Sequence, residues 1–399
     1  MFQRLFPPIL IILAMLGLIA ANVSEDVPAT SAPVRQPAVQ QSDVRWSVGA
    51  LTFESLYPQG MRFSAEIRSN AGPITRGRVV WSHTPGTQRS RPIEIDPQTG
   101  LLTATWEATG ADAVPPWVGL TYYWDVGDSA GNSFQTEPQT AEYADETRDW
   151  LRAESEDIIV FAQALSPEAA QYAIEAMAAQ RETYREAWGG LLPYRPRAIL
   201  FGSRAAWNEW QISAPLAGAI GVTSSDWGGT AQIVSGADYY DLAYGTVLHE
   251  VAHLYQHEFT FMMPGTWLIE GNATFFELAG RDSYEAYARA LAANDTLPTL
   301  LEGTGPGVSG RTARRGYNIG YTFFAWLVEN YGLEGHHQLI ELLGQGVERN
   351  PAIEAVTGLS TAEVESRWRM WLGASPAAPT LVPTPTMRLF PTVTPYQFN

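Results

Sequence analysis

Five residues constrain this chain more than any other stretch: His249, Glu250, Val251, Ala252 and His253, set within LAYGTVLHEVAHLYQHEF. Residues four apart on an α-helix sit one turn apart on the same face, so both imidazoles project together. That spacing suits two nitrogen ligands of one zinc ion, with Glu250 placed as general base toward a metal-bound water. The segment reads as a helix. Asp238 can cap it, Asp241 lies three positions on, and Leu242, Val247, Leu248, Val251 and Leu254 supply an apolar face. Only 6 of 399 residues are histidine, so the motif is not a by-product of a histidine-rich chain. The plain alternative is a buried helix whose histidines hydrogen-bond to their neighbours.

Hydrolysis at zinc needs three protein ligands and an open fourth position. Glu270 lies in PGTWLIEGNATFFEL, where Pro264 and Gly265 break the chain and the apolar run from Trp267 reads as a second helix. His249, His253 and Glu270 would then form a two-histidine, one-carboxylate set. A three-histidine set would need glycine and histidine where Gln256 and Phe259 stand. His257, one turn beyond His253, is left either to orient a ligand or to face solvent.

With HEVAH at 249–253, WLIEGNA at 267–273 and YNIGYTFFAWLVENYG at 317–332, the chain resembles the gluzincin superfamily of metallopeptidases. The nearest likeness is to bacterial peptidase MA-like proteins, with a more distant one to aminopeptidases of the leukotriene-hydrolase type. It spans residues 155 to 373. It implies a zincin-like α+β fold, Glu270 as third zinc ligand, and Tyr317 as the donor to a developing oxyanion, with Tyr321 one helical turn on as its rival. It also implies that the short strand within GGTAQIVSG, just ahead of the HEVAH helix, is a sheet edge above the metal. There Ala231, Gln232, Ile233 and Val234 would pair with an extended substrate.

Two departures stand out. The GxMEN segment with which the aminopeptidases grip a free amine has no counterpart; the nearest stretch is GAIGVTSSDWGG at 218–229. Thr274 occupies the place where some zincins carry an aspartate that orients a ligand histidine, a task a threonine would do more weakly. The implied activity is zinc-dependent hydrolysis of peptide bonds in peptide or protein substrates. The alternatives are a zincin fold turned into a binding or adhesion protein, and a zinc hydrolase of non-peptide substrates. An intact Glu250 and ligand set favour the enzyme.

The rest of the chain frames this site. A formal charge of −17 and a pI near 4.8 argue against nucleic acid as a partner. All 25 basic residues are arginine and cysteine is absent, so the fold stands without disulfides. Residues 1–23, with one arginine, an apolar run and small residues at Ala20 and Ala21, have the layout of a secretory signal; an uncleaved membrane anchor fits equally in length. Either way the expected location is outside the cytoplasm, secreted or at the cell surface. Residues 24–42 read as a linker.

From 43 to 146 short alternating runs, punctuated by Gly and Pro, predict an all-β immunoglobulin-like sandwich. In RFSAEIRS, Phe63, Ala65 and Ile67 face one side and Arg62, Glu66 and Arg68 the other. GDSAGN at 127–132 reads as its last hairpin. Trp46, Trp81, Trp106, Trp117 and Trp124 are either core or a carbohydrate platform. The sandwich is expected to be an accessory spacer or adhesion module, and the sequence names no partner for it. After an acidic joint, AEYADETRDW, the peptidase-like part runs from 150 to 373. Strands are expected at 157–163 and 197–203, with a helix from Pro167 to Ala187 between them. Arg311, Arg314 and Arg315, in a Gly-rich loop before Tyr317, either bind a substrate carboxylate or are solvated. STAE at 360–363 is a capping box for the last helix, and residues 374–399 form a Pro/Thr-rich tail expected to be disordered.

Overall fold

In this computed structural model the described residues are 44–377, except 109–112, 211–220, 235, 237, 261–265, 304 and 308–312. The N-terminal segment, the linker, Arg311 and the tail from 378 lie outside them. None of the helices among the described residues is long and apolar enough to cross a membrane.

The first part is β-rich. Strands β1 (Trp46–Leu56), β2 (Gly60–Ser69), β6 (Leu102–Glu107) and β5 (Glu94–Ile95) form one sheet in that order. In the second sheet β4 (Gln88–Pro92), β3 (Ile74–His83), β7 (Val118–Asp128) and β8 (Ser133–Gln135) follow one another, and β9 (Gln139–Tyr143) also pairs with β7. Strand β2 alternates as its sequence predicts: Phe63, Ala65 and Ile67 are buried while Arg62, Glu66 and Arg68 are exposed. Trp81, Trp106 and Trp124 are core residues. Trp46 stacks on Phe134 and Trp117 on Phe161, both tryptophans half-buried. GDSAGN makes the β7–β8 turn, where Asp128 accepts from Asn132 and Ala130, but β9 still follows it.

A third sheet, ordered β10-β11-β12-β14-β13, carries the second part. Its strands are β10 (Trp150–Glu154), β11 (Ile159–Gln163), β12 (Arg197–Phe201), β13 (Gly221–Ser224) and β14 (Gly229–Ile233). The expected acidic joint thus ends in a strand, and β10 pairs antiparallel with β11. Strands with unbroken apolar runs, such as IIVFA and AILF, belong where both faces are covered. Here Val160, Ala162, Ala198 and Leu200 face a helical layer, whereas Ile159, Phe161, Ile199 and Phe201 join the core of the sandwich. The β-rich part is therefore no detached spacer: it forms the second covering layer of the sheet. Trp117 stacks flat on Phe161 at 4.9 Å between centroids, and Arg197 Nη1 donates to Trp117 O (2.6 Å) and Glu142 Oε1 (2.7 Å).

The helical layer begins with α1 (Pro167–Trp188), capped by Ser166 and closed by Gly189 in the left-handed region. A short α2 (Arg204–Trp210), absent from the sequence reading, puts Trp207 and Trp210 against the sandwich side. Asp238 caps a single turn, α3 (Tyr239–Asp241), followed by a π-helical stretch over Leu242–Val247 and then α4 (Leu248–Phe259). After α5 (Thr266–Phe275) and α6 (Arg281–Ala293) comes the long α7 (Ala313–Gly344), broken at Gly332 with φ 68°. Helices α8 (Arg349–Thr357) and α9 (Thr361–Trp371) end the described chain, and the Ser360–Glu363 capping box is present in full.

Candidate metal centre and active site

Helix α4 places His249 and His253 side by side, as the i, i+4 spacing requires, and both are buried. Helix α5 brings in Glu270 from the side. Its Oε2 lies 3.3 Å from His249 Nε2 and 3.6 Å from His253 Nε2. The three ligand atoms all lie within 4.8 Å of one another. The helix that delivers Glu270 can come this close because α5 and α7 cross at two glycines. A Cβ on Gly271 would sit 2.3 Å from Gly320 Cα, and one on Gly320 would sit 2.4 Å from Trp267 O.

The donor set fits a zinc ion. His253 Nε2 is buried, aimed at Glu270 and without a hydrogen-bond partner. Two nitrogens and one carboxylate oxygen are borderline ligands of the kind zinc prefers. The electrostatics also favour a cation. Burial alone would keep His249 neutral, but the carboxylates of Glu270 and Glu277 outweigh it and raise its pKa to about 10. Burial opposes ionisation of Glu270, yet His253 and His249 hold its carboxyl well below the usual range.

Each histidine is held through its other nitrogen. His249 Nδ1 lies 2.8 Å from Glu277 Oε1, whose second oxygen accepts from Tyr284 Oη. His253 Nδ1 lies 2.8 Å from Gln256 Oε1. Thr274 does neither job. Its Oγ1 donates back along α5 to Glu270 O at 2.8 Å, as helical threonines commonly do, so it reaches no histidine. The orienting carboxylate comes three residues later, just past the end of α5. Glu277, in the quoted run TFFEL, was the available signal for it.

Glu250 is buried between α4 and strand β13. Thr223 Oγ1 donates to its Oε2, and its Oε1 has no partner. Gly221 leaves room beside that free oxygen, since a Cβ there would lie 3.4 Å from it. Tyr317, near the start of α7, stacks beside His249 with ring centroids 5.7 Å apart. Burial, then the neighbouring Glu270, pushes its hydroxyl far above the ordinary tyrosine range, so it stays a proton donor. Tyr321 packs instead against Tyr284, at 5.5 Å.

The expected substrate edge needs correction. Strand β14 is internal: it pairs in parallel with β12 and antiparallel with β13. Ala231 and Gln232 are paired on both sides, whereas Ile233 pairs with Phe201 of β12 and Val234 N donates to Phe201 O. Ala231 and Gln232 therefore have no free side on which to add a substrate strand. On this side of the described sheet the edge is β13, the strand whose Thr223 touches Glu250; β10 is the edge on the other side. His257 is exposed and Arg314 is exposed, while Arg315 donates to Thr296 O.

A sequence description of the Peptidase MA superfamily matches residues 212–374. No curated protein matches the chain. Among solved structures, an M1 zinc metallopeptidase from Deinococcus radiodurans shares 16% identity over 81% of this chain and 92% of its own, with a TM-score of 0.34. Aminopeptidase A of Legionella pneumophila, solved with aspartic acid, shares 12% over 81% of this chain and 49% of its own, at 0.33. A family 56 carbohydrate-binding module, a β-1,3-glucan binding domain, shares 12% over 25% of this chain and 99% of its own, at 0.16. These structural likenesses are too distant to bear on fold or function. Residues 212–374 are thus similar to the Peptidase MA superfamily, and within them lies the buried group of His249, His253 and Glu270, which supports a gluzincin peptidase-like reading of this part.

Proposed function

We propose that the protein is an exported zinc metallopeptidase that cleaves peptide bonds. The observation that carries this reading is the convergence of His249, His253 and Glu270, with His253 Nε2 and the adjacent Glu250 Oε1 both buried and unpartnered. Zinc, when bound by these three residues, supplies Lewis acidity toward a carbonyl and acidifies water. Glu250 takes the proton from the attacking water through its free Oε1 and returns it to the leaving amine. Thr223 keeps the other carboxylate oxygen fixed, so the base is aimed rather than free to rotate. Tyr317 Oη donates to the developing oxyanion. Removing one such donor typically costs about 3 kcal/mol of transition-state stabilisation. An extended peptide would lie along β13 by backbone pairing.

Two finer readings go with it. The sheet order β1-β2-β6-β5 and the pairing of β3 with β7 follow the A-B-E-D and C-F arrangement of immunoglobulin-like sandwiches, which supports that assignment for the first part. Export rests on the composition of residues 1–23.

The test is zinc content together with cleavage of a peptide library by the purified chain from residue 24 onward. About one zinc per chain and cleavage abolished by chelator are expected. Stoichiometric zinc with no cleavage of any peptide would reject the peptidase reading and leave a metal-holding binding protein. Export is checked separately, by fractionating cells that make the full chain; recovery in the cytoplasm would reject it.

A further inference from the structure

Behind His253 runs an unbroken line of buried polar groups that the catalytic reading does not use. His253 Nδ1 meets Gln256 Oε1 at 2.8 Å, and Gln256 Nε2 reaches Asn272 Oδ1 at 3.0 Å. Asn272 Nδ2 then lies 2.7 Å from His336 Nε2, and His336 Nδ1 lies 2.8 Å from Ala187 O. A side branch joins Gln256 Nε2 to Ile269 O at 2.8 Å. Asn272 and His336 are fully buried. The line ties α4 to α5, then to the segment of α7 beyond Gly332, and ends on the last turn of α1.

Its direction has one solution. Ala187 O and Ile269 O are carbonyls and only accept. His336 must therefore donate from Nδ1, which leaves Nε2 of the neutral ring to accept from Asn272 Nδ2–H. Asn272 Oδ1 then accepts from Gln256 Nε2–H, and Gln256 Oε1 accepts from His253 Nδ1–H. The reverse polarity would ask a carbonyl to donate. Side-chain amides are often ambiguous in orientation, but here both ends of the line settle them. His336 is enclosed by Trp188, Phe276 and Phe324, and burial in that apolar shell pulls its pKa down to about 4, so the ring is neutral at ordinary pH.

We propose that Gln256, Asn272 and His336 are positioning residues that hold His253 in the tautomer whose Nε2 lone pair faces the metal. The ligand is thereby set by a backbone carbonyl at the far end of α1 rather than by the carboxylate partner its companion His249 uses. This rests on the zinc reading above. His253 is thus backed by a neutral amide and His249 by a carboxylate, so the two ligands are supported differently.

The experiment measures two quantities on the full chain: zinc affinity by competition with a chromophoric chelator, and the unfolding midpoint of the metal-free protein. Gln256→Leu removes the acceptor and should weaken zinc binding about 10–100-fold. Gln256→Glu keeps an acceptor for His253 Nδ1–H but cannot donate to Ile269 O or Asn272 Oδ1. Its midpoint should fall while its zinc affinity stays within about threefold of the parent or rises. Asn272→Leu leaves Gln256 hinged on Ile269 O alone and should weaken zinc less than Gln256→Leu does, which serves if the latter fails to fold. A merely structural network would lower midpoints in all three variants and leave the affinity of folded protein unchanged; that result overturns the proposal. So does a Glu variant as weak for zinc as the Leu variant. A parent chain that binds no zinc at all overturns the metal reading, and the positioning role with it.

Discussion

Glu277 Oε1 lies 2.8 Å from Nδ1 of His249, while Glu270 Oε2 lies 3.3 Å from Nε2 of the same ring. One imidazole is thus held between two carboxylates, one oriented as a co-ligand and the other as a prop. Glu277→Ala should weaken zinc binding about 10–100-fold, because the prop fixes ring orientation and raises ligand basicity. Thr274→Val should leave affinity near the parent, as the Thr274 hydroxyl donates to Glu270 O and to no histidine. Chelator competition on both variants checks this, and equal losses would show that Glu277 has no special part.

Glu250→Gln should retain zinc and lose turnover by about 10²–10⁴-fold, since an amide accepts the Thr223 hydrogen bond but cannot take a proton. Metal analysis beside single-turnover cleavage checks it. Simultaneous loss of zinc would make Glu250 a ligand or a structural residue.

Tyr317→Phe should lower kcat by about 10²-fold with KM and zinc affinity nearly unchanged, the pattern of a donor used only in the transition state. Tyr321→Phe should be mild because Tyr321 packs on Tyr284, away from His249. The opposite ranking of the two variants would transfer the oxyanion role to Tyr321.

His336 gives a pH signature. Burial, helped by His337 and opposed by the bond to Ala187 O, holds its pKa near 4 in the folded chain, against 6.5 ordinarily. The unfolded chain therefore takes up this proton first as pH falls. The stabilisation is full above 6.5 and is lost between 6.5 and 4, on the order of 3 kcal/mol in all. Urea unfolding of the metal-free chain at pH 7.5 and pH 4.5 should show a steeper loss for the parent than for His336→Gln. Parallel losses would mean His336 is not the group responsible.

Gly271→Ala should destabilise by about 1–3 kcal/mol and weaken zinc binding as well, because a Cβ there would sit 2.3 Å from Gly320 Cα and force α5 from α7. Denaturant midpoints and zinc affinity together check it. A variant with parental values for both would show that the crossing has slack.

The features legible in the sequence are those set by neighbours along the chain. The pairing of His249 with His253 follows from helix pitch, the inward Phe63, Ala65 and Ile67 from strand alternation, and the start of α9 from a side chain reaching three residues on. What needed the tertiary structure depends on how separate elements cross. Whether Thr274 or Glu277 reaches His249 turns on where the chain leaves α5 relative to α4, which periodicity leaves open. Whether β13 or β14 forms the edge turns on sheet order, because GVTS and GTAQI are both short segments rich in Gly and Thr, with no apolar pattern to rank them. The unbroken apolar runs of β11 and β12 told of two covered faces, but the second cover is the sandwich, joined through Trp117 and Phe161. Gln256 looked like a missing glycine in a three-histidine motif. Only the convergence of α1, α4, α5 and α7 on His336 makes it a ligand's partner, since a hydrogen bond records distance in space and not separation along the chain.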